Sequence, residues 1–254
     1  MDWKDYYSNP KNIEKIAKFC RYREVVAIKR LRDRNVTLRP LKIFKPEHLE
    51  YWINRALTGV KFDLYISNAS VKLPKLPCGL KNLREAKKII NQKWMDWFEG
   101  RDPDFVTGFD IFADVDIDDF SQRGQAREYA LQLADGLKEK GYNPQIWDTS
   151  RGFHVIVMGR FQPDFALSTV KEICDEKQIP TSISFRCNQC GRLFYKKPDE
   201  KVCPYCGSED ISPVKKPFVD IAVTGDIRRI RRCPYSLHSK TDKPMIAIKN
   251  LKNP

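Results

Sequence analysis

Two aspartates in the segment ADVDID, residues 113 to 118, carry the first candidate chemistry of this chain. Asp114 and Asp116 lie two residues apart in a stretch that reads as a strand, so both side chains project from the same face. Two carboxylates this close repel each other unless cations lie between them. Mg²⁺ and Mn²⁺ take oxygen ligands and in turn hold phosphates. The pair therefore predicts a divalent-cation site, and the alternative is an acidic loop at the end of a strand.

Four cysteines form two C-x-x-C pairs separated by twelve residues, a spacing typical of a zinc site. Two such pairs supply the four sulfurs of a closed tetrahedral shell, which leaves no position for water. We therefore expect a structural zinc ion rather than a catalytic one. A redox role is less favoured, because a thioredoxin-like dithiol needs one pair rather than two. The candidate ligands are Cys187, Cys190, Cys203 and Cys206.

Two further segments offer cations and imidazoles for binding phosphates. In SRGFHVIV, residues 150 to 157, Arg151 and His154 flank a glycine turn that leads into a strand. Residues 219 to 241 begin with Asp220 on an expected strand and continue with a basic cluster and a turn. Guanidinium groups with nearby imidazoles bind triphosphate oxygens well, whereas the alternatives are a backbone-satisfied histidine and a solvated basic face. The second segment offers Arg228, Arg229, Arg231, Arg232, Ser236, His238 and Lys240.

The composition of the whole chain favours an anionic polymer as partner. The 254 residues carry 46 Lys and Arg against 33 Asp and Glu, a formal net charge of +13. Such a charge favours nucleic acid. No apolar stretch approaches the roughly 20 residues of a membrane span, and the first residues lack the layout of a secretory signal. We therefore expect a soluble, cytoplasmic protein with no membrane partner.

Hydrophobic periodicity predicts strands that alternate with helices, which indicates an α/β or α+β fold with a mixed central sheet flanked by helices. Between residues 180 and 217 this periodicity disappears, and cysteines, lysines and prolines dominate. We expect one domain formed by residues 1–179 and 218–254, with an inserted zinc-ribbon module at 180–217. Helices are expected at about 11–22, 46–59, 82–98, 121–140 and 163–178, and strands at 62–71, at 105–120 and as a pair within 143–159.

Three segments in order resemble the archaeo-eukaryotic primase superfamily, and most closely the small catalytic subunit of archaeal primases. They are D-V-D at 114–116 followed by D-D, then S-R-G-F-H-V at 150–155, then V-D-x-x-V-T-x-D-I-R-R-x-x-R-x-P-x-S-L-H-x-K-T at 219–241. R-Y-R-E-V-V-A-I at 21–28 and D-L-Y-I-S-N-A-S at 63–70 are similar to earlier segments of the family. A zinc module between the second and third motifs occurs in such primases too. The resemblance runs over most of the chain.

The resemblance implies a DNA primase that synthesises primers from NTPs or dNTPs by two-metal nucleotidyl transfer. It implies that Asp114, Asp116 and Asp220 hold the catalytic Mg²⁺ or Mn²⁺ ions. One position departs from the family, since Asp148 stands where a serine is usual. The implied partners are a single-stranded DNA template, nucleoside triphosphates and a large primase subunit. The implied nucleotide-binding residues are Ser150, Arg151, His154, Arg232 and His238.

Other functions stay open at this point. A stand-alone primase-polymerase of a plasmid, virus or repair system would extend primers without starting them. A catalytically inactive homologue would bind nucleic acid, using its zinc ribbon. A metal-dependent nuclease also uses paired aspartates, but it does not explain the arginine and histidine segment.

Overall fold

The computed structural model describes residues 3–41, 45–57, 59–77, 79–117, 120–181, 184–195, 201–214 and 218–248. The two aspartates at 118 and 119, which follow the D-V-D motif, lie outside the described residues. None of the helices in the described part combines the length and the apolar composition that crossing a membrane requires.

The helices begin where local chemistry favours a start. The side chain of Asn9 accepts a hydrogen bond from the Lys11 N–H, and Pro10 occupies the first turn. Pro46 and Pro163 open two later helices in the same way. The five predicted helices are confirmed, with ends within three residues of the expected ones. In chain order the helices of the described residues are α1 (Trp3–Ser8), α2 (Pro10–Cys20), α3 (Pro46–Ala56), α4 (Leu83–Phe98), α5 (Arg123–Glu139), α6 (Pro163–Glu176) and α7 (Ile221–Thr224).

The strands form three sheets, in which every pair of strands is antiparallel. In chain order they are β1 (Val25–Arg30), β2 (Asn35–Leu41), β3 (Phe62–Ser67), β4 (Ala69–Val71), β5 (Val106–Asp116), β6 (Gln145–Asp148), β7 (Phe153–Phe161), β8 (Ser184–Cys187), β9 (Leu193–Tyr195), β10 (Ile211–Val214), β11 (Phe218–Val219), β12 (Ile230–Arg232) and β13 (Ile246–Ala247). The first sheet has the order β12-β3-β1-β2, and the second has the order β11-β5-β7-β6-β13 with β4 also paired to β5. The third sheet, β10-β8-β9, pairs with neither of the others within the described residues. The expected α+β class is confirmed. The central sheet is antiparallel rather than mixed, since within the described residues parallel pairing is limited to an isolated bridge between Thr181 and Val219.

One predicted strand, 62–71, is divided between two sheets. Its first part is β3 in the first sheet, and its last part is β4 in the second. At the division, the guanidinium of Arg23 donates hydrogen bonds to the carbonyl oxygens of Ser67 and Asn68, at 2.9 and 2.8 Å. The carbonyl of Asn68 also accepts from the N–H of Asp110, at 3.1 Å. The chain therefore crosses between the sheets at a point fixed by contacts that are remote in sequence.

The hydrophobic cores orient β5, the strand that carries the aspartate pair. Helices α1 to α3 cover the first sheet, and α5 and α6 cover the second. Ile111, Ala113 and Val115 face α5 and α6, whereas Phe112 lies on the opposite face against Trp147. Because the side-chain period of a strand is two, the aspartates lie on the face of Phe112, towards the first sheet. A slip of one residue would move the aspartates into the core, so burial of the apolar residues fixes this register.

Candidate active site

The three aspartates meet at one end of the second sheet. Asp114 and Asp116 end β5 on the face turned away from α5 and α6, and β11 pairs with that end of the strand. The N–H of Asp220 donates a hydrogen bond of 3.0 Å to the carbonyl oxygen of Asp114. Asp220 follows β11 directly, and residues 221–224 form the short helix α7 instead of continuing a strand. The expected strand around Asp220 is therefore shorter than predicted, but it delivers the residue to the aspartate pair.

The carboxylate oxygens of these three aspartates are farther apart than the backbone contact between Asp114 and Asp220 suggests. Among the described residues, the cysteine quartet is the one group of three or more acidic, histidine or cysteine side chains close enough to share an ion. The backbone hydrogen bond from Asp220 to Asp114 brings these two residues together, but their carboxylates and that of Asp116 do not form a group compact enough to share one ion as they stand.

His154 faces Asp114 from the neighbouring strand β7. Its Nε2 atom lies 3.5 Å from Oδ1 of Asp114, and its ring packs edge-on against Phe112. Burial, followed by the charges of three nearby arginines, holds the pKa of His154 well below its usual value. The imidazole is therefore neutral near pH 7 and carries a single N–H. His154 acts on Asp114 as a neutral, polar neighbour rather than as a counter-ion.

Arg229 is the arginine of the basic segment that faces the aspartates. Its Nη2 atom lies 3.7 Å from Oδ2 of Asp114. Its buried Nε has no hydrogen-bond partner among the described residues. The family resemblance pointed to Arg232 rather than to Arg229. The sequence signal for Arg229 is its spacing of two from Arg231, which places both on one face of an extended segment.

Arg232 is bound to the backbone of two turns. Its guanidinium donates to the carbonyl oxygens of Thr149, Ser236 and Lys243, at 2.5, 2.8 and 2.8 Å. The residue is 5% exposed. These contacts tie the turn before β7 to the turn that carries His238. Arg232 therefore positions the walls of the site.

His238 lies in the second of these turns and is half-buried. Its Nδ1 atom accepts a hydrogen bond of 3.0 Å from the N–H of Lys240. Burial, followed by the charge of Arg232, lowers the pKa of His238. In the neutral ring the proton is consequently on Nε2, which makes His238 a hydrogen-bond donor.

The turn between β6 and β7 is fixed by its own polar contacts. The N–H of Ser150 donates to Oδ1 of Asp148, at 2.6 Å, and Arg123 of α5 contacts Oδ2 of the same carboxylate at 2.6 Å. The hydroxyl of Ser150 lies 2.8 Å from that of Thr241, in the turn of His238. A Cβ on Gly152 would lie 2.3 Å from the carbonyl oxygen of Val115, so only glycine lets this turn approach β5 so closely. Asp148 therefore has a structural role in the turn.

A cleft of about 150 Å³ lies between the first and second sheets, where these elements meet. Ser150 and Asp220, both described, do not line it. The sequence-predicted residues that do line it are Asp114, Asp116, Arg151, His154, Arg232 and His238, joined by Arg229 and Arg231. Cations thus surround a pair of carboxylates, an arrangement that suits phosphate groups held together with divalent ions.

A buried charge cluster lies beneath the cleft. The carboxylate of Asp110 is fully buried and contacts Arg23 at 2.7 Å and Arg231 at 2.6 Å. The N–H of Gly159 donates to the same carboxylate at 3.0 Å. Burial, opposed by Asp110, lowers the pKa of Arg231 to about 10, so the guanidinium stays charged near pH 7. The cluster fixes the relative positions of β5, β12 and the segment that leads into β1.

The four predicted zinc ligands form a compact cluster at the end of the third sheet. Their sulfur atoms all lie within 4.8 Å of one another. The sulfur of Cys187 is 3.4 Å from that of Cys206, and Cys190 and Cys203 are 3.8 Å apart. The two loops repeat the same backbone turn. The N–H of Gly191 donates to the carbonyl oxygen of Cys187, and the N–H of Gly207 donates to the carbonyl oxygen of Cys203, both at 2.8 Å. The N–H of Cys190, pointing at the Cys187 sulfur, lowers the pKa of that thiol to about 6.

No protein-family model matches the chain. Two curated relatives match part of it, the putative Lon protease homologues of Thermoplasma acidophilum and Thermoplasma volcanium, which are 32% and 31% identical over 88 residues. The match covers 33% of this chain and 16% of each relative, so the chain spans a small part of these proteins.

Among solved structures, the chain is similar to the polymerase domain of ligase D from Mycobacterium tuberculosis, determined in complex with DNA. The likeness has a TM-score of 0.55 and covers 97% of this chain and 80% of that one. Sequence identity is 11%. The chain therefore shares the fold of this polymerase domain over nearly its whole described length.

Proposed function

We propose that the chain is a DNA-templated nucleotidyltransferase that synthesises primers, with its active site in the cleft at the end of β5. The observation that carries the proposal is the meeting of Asp114, Asp116 and Asp220 beside a cleft lined by arginines and histidines. The fold shared with a polymerase domain solved with DNA supports it. The net charge of +13 suits a nucleic-acid template.

The donor set fits hard divalent ions. Asp114, Asp116 and Asp220 offer only carboxylate oxygens, which Mg²⁺ and Mn²⁺ accept. When bound, such ions would supply the positive charge that activates a 3′-hydroxyl and stabilises the leaving pyrophosphate. Asp114, Asp116 and Asp220 would hold them, and the reaction would then need no nucleophilic side chain.

The other residues of the cleft bind and orient the nucleotide. Arg151, Arg229 and the Nε2–H of His238 neutralise and hydrogen-bond the triphosphate oxygens. His154 holds Asp114 in place as a neutral partner. Ser150 and Arg232 act as positioning residues, since their contacts join the two turns that carry Arg151 and His238.

Incorporation of a labelled nucleotide on a single-stranded template tests this function. Wild type is expected to produce primers without a pre-annealed primer, and Asp116→Asn is expected to lose this synthesis. Asp135→Asn is the matched control, because Asp135 is exposed on α5 and forms its ion pair within the described residues with Lys138, at 3.0 Å. The assay is run with NTPs and dNTPs, and with Mg²⁺ and Mn²⁺.

The outcomes of this assay separate the alternatives. Synthesis only from an annealed primer would identify an extending polymerase rather than a primase. Template binding without any synthesis, by wild type in every condition, would identify an inactive homologue and overturn the proposal.

For the cysteine cluster, the proposal is a structural zinc ion. A tetrahedral ion with Zn–S distances of about 2.3 Å requires sulfurs roughly 3.8 Å apart, close to the separations of 3.4 and 3.8 Å in the cluster. Zinc held this way stabilises the fold of the small module around it. The purified protein is expected to contain one zinc ion per chain by elemental analysis.

Cys187→Ser is expected to lose the zinc and to lower the melting temperature of the module. Cys174→Ala is the matched control, because Cys174 lies on the buried face of α6, away from the cysteine cluster, and its replacement should leave the zinc content at one per chain. Loss of zinc with an unchanged melting temperature would show that the ion is not structural.

The domain division and the large-subunit partner stay predictions. The division into residues 1–179 with 218–254 and an inserted module at 180–217 awaits a deletion of the module. The predicted large primase subunit can be tested by looking for a protein that binds the purified chain.

A further inference from the structure

A second, larger groove lies at the other end of β5 from the aspartates. Its volume is about 1070 Å³, and it runs between the end of α2, the segment after β4 and the start of β5. Five cations within the described part of the chain line it. Arg23 is buried and paired with Asp110, whereas the other four reach the groove from three separate elements and form no ion pair with a described residue. Those four cations are Lys18, Arg21, Lys72 and Arg160, and all four are exposed. Asp104 is the one carboxylate among the described residues that line the groove.

An aromatic ring stands in this basic groove. Tyr22 is 45% exposed, although tyrosine is usually buried to a greater extent. Its backbone lies in the left-handed region, with φ of 60°, and its carbonyl accepts a hydrogen bond of 2.9 Å from the N–H of Val71. The Arg21 guanidinium lies 4.9 Å from the centre of the ring. The fold therefore fixes the backbone of Tyr22 and leaves its ring exposed beside a cation.

The groove and the catalytic cleft adjoin each other through Met158 of β7. Its sulfur lies 4.0 Å from Nη2 of Arg23, which lines the groove, and 3.7 Å from Nη2 of Arg231, which lines the cleft. His154 lines the cleft, Arg160 lines the groove, and Met158 stands between them with 45% exposure. On β5, whose register is irregular here, Thr107 lines the groove and Asp114 lines the cleft, seven residues or about 20 Å apart. The buried cluster of Arg23, Asp110 and Arg231 forms the floor between them.

We propose that this groove binds the single-stranded nucleic-acid template on its way to the cleft, with Tyr22 stacking on a base and the four cations contacting phosphates. A positively charged groove with an exposed aromatic ring is the arrangement by which proteins hold single strands without reading sequence. A path of about 20 Å accommodates several nucleotides, within the site sizes of such grooves. The proposal deepens the proposed function, on which it rests for the identity of the strand.

Binding of a fluorescein-labelled oligo(dT) of twenty nucleotides, followed by anisotropy without nucleotides or divalent ions, tests the groove. Tyr22→Ala is expected to weaken binding about tenfold or more, whereas Tyr22→Phe keeps the ring and should bind like wild type. The double variant Lys72→Ala/Arg160→Ala should reduce the slope of log affinity against log salt by about 1.4, or roughly 0.7 for each phosphate contact. Lys171→Ala, an exposed lysine on α6, is the matched control and should leave the slope unchanged.

The result that would overturn the groove assignment is equal binding of oligo(dT) by wild type, Tyr22→Ala and the double variant at equal melting temperatures. A duplex of the same length that binds at least as tightly and shows the same losses would overturn the commitment to a single strand. Because the assay needs no catalysis, its failure is distinct from failure of the proposed function. Groove-dependent binding by a protein that synthesises nothing would keep the groove and reject the activity.

Discussion

Asp110 and Asp114, four residues apart on β5, lie in different environments. Asp110 is fully buried, and its contacts with Arg23 and Arg231 are 2.7 and 2.6 Å long. Asp114 is 23% exposed, and it lies 3.5 Å from His154 and 3.7 Å from Arg229. Tight, dry pairing at Asp110 commits that carboxylate to the fold. The longer contacts and greater exposure of Asp114 suit the ion-binding role proposed for it.

Replacing Asp110 should produce the largest change in stability. Asp110→Asn leaves two buried guanidinium groups without a counter-charge, so the free energy of unfolding should fall by about 3–5 kcal/mol. Urea denaturation measures this loss. Asp135→Asn, at the exposed position on α5, should change it by less than about 0.5 kcal/mol. A loss below about 1 kcal/mol for Asp110→Asn would mean that the buried cluster does not hold the sheets together.

Arg229 should affect catalysis and leave stability nearly unchanged. Arg229→Ala removes a charge-assisted contact in the cleft, so nucleotide incorporation should fall roughly ten- to a hundredfold. Arg229→Lys, which keeps a cation without the guanidinium fork, should restore part of the rate. Arg228→Ala is the matched control, since Arg228 is exposed and its guanidinium lies over Phe98 instead. Equal losses of incorporation for Arg229→Ala and Arg228→Ala would mean that the overall charge of the segment, rather than the contact of Arg229 in the cleft, causes the effect.

Asp63 extends the comparison to a third carboxylate, which is buried like Asp110 and holds the His238 turn. Burial raises its pKa, but hydrogen bonds from Ser239 and Arg30 outweigh burial and lower it. The folded pKa is thus below the unfolded one, so the carboxylate stabilises the fold above about pH 4, and this stability is lost as pH falls through the folded pKa.

The expected difference in unfolding free energy between wild type and Asp63→Asn therefore shrinks as the pH is lowered from 5 to 3. Its slope should not exceed about 1.4 kcal/mol per pH unit, the value for a single proton. Thermal unfolding of both proteins across this range measures it. A difference that stays constant would assign the effect of Asp63 to packing rather than to its charge.

Local patterns in the sequence predict much of this architecture. Prolines 10, 46 and 163 and the apolar spacing after them predict the helices. The two-residue period predicts that Asp114 and Asp116 share a face, because that pattern depends only on the strand itself. The family motif also identified Asp220, although the strand before it is only two residues long.

Long-range contacts explain what the sequence did not predict. The strand at 62–71 divides because Arg23, more than forty residues away, binds the carbonyls where it crosses between sheets. Arg232 was expected to bind phosphate, yet its partners are carbonyl oxygens of two turns that only the fold brings together. The separate roles of Asp110 and Asp114 are likewise invisible in the sequence, where both are aspartates in one apolar strand.

Incorporation rate and unfolding free energy of Asp114→Asn, measured beside those of wild type, test the central claim most directly. Under the proposed function this carboxylate serves the reaction rather than the fold, so incorporation should drop by on the order of a hundredfold or more. The free energy of unfolding should stay within about 0.5 kcal/mol of wild type. A variant that incorporates nucleotide at the wild-type rate, or that loses activity only because it unfolds, would contradict the account.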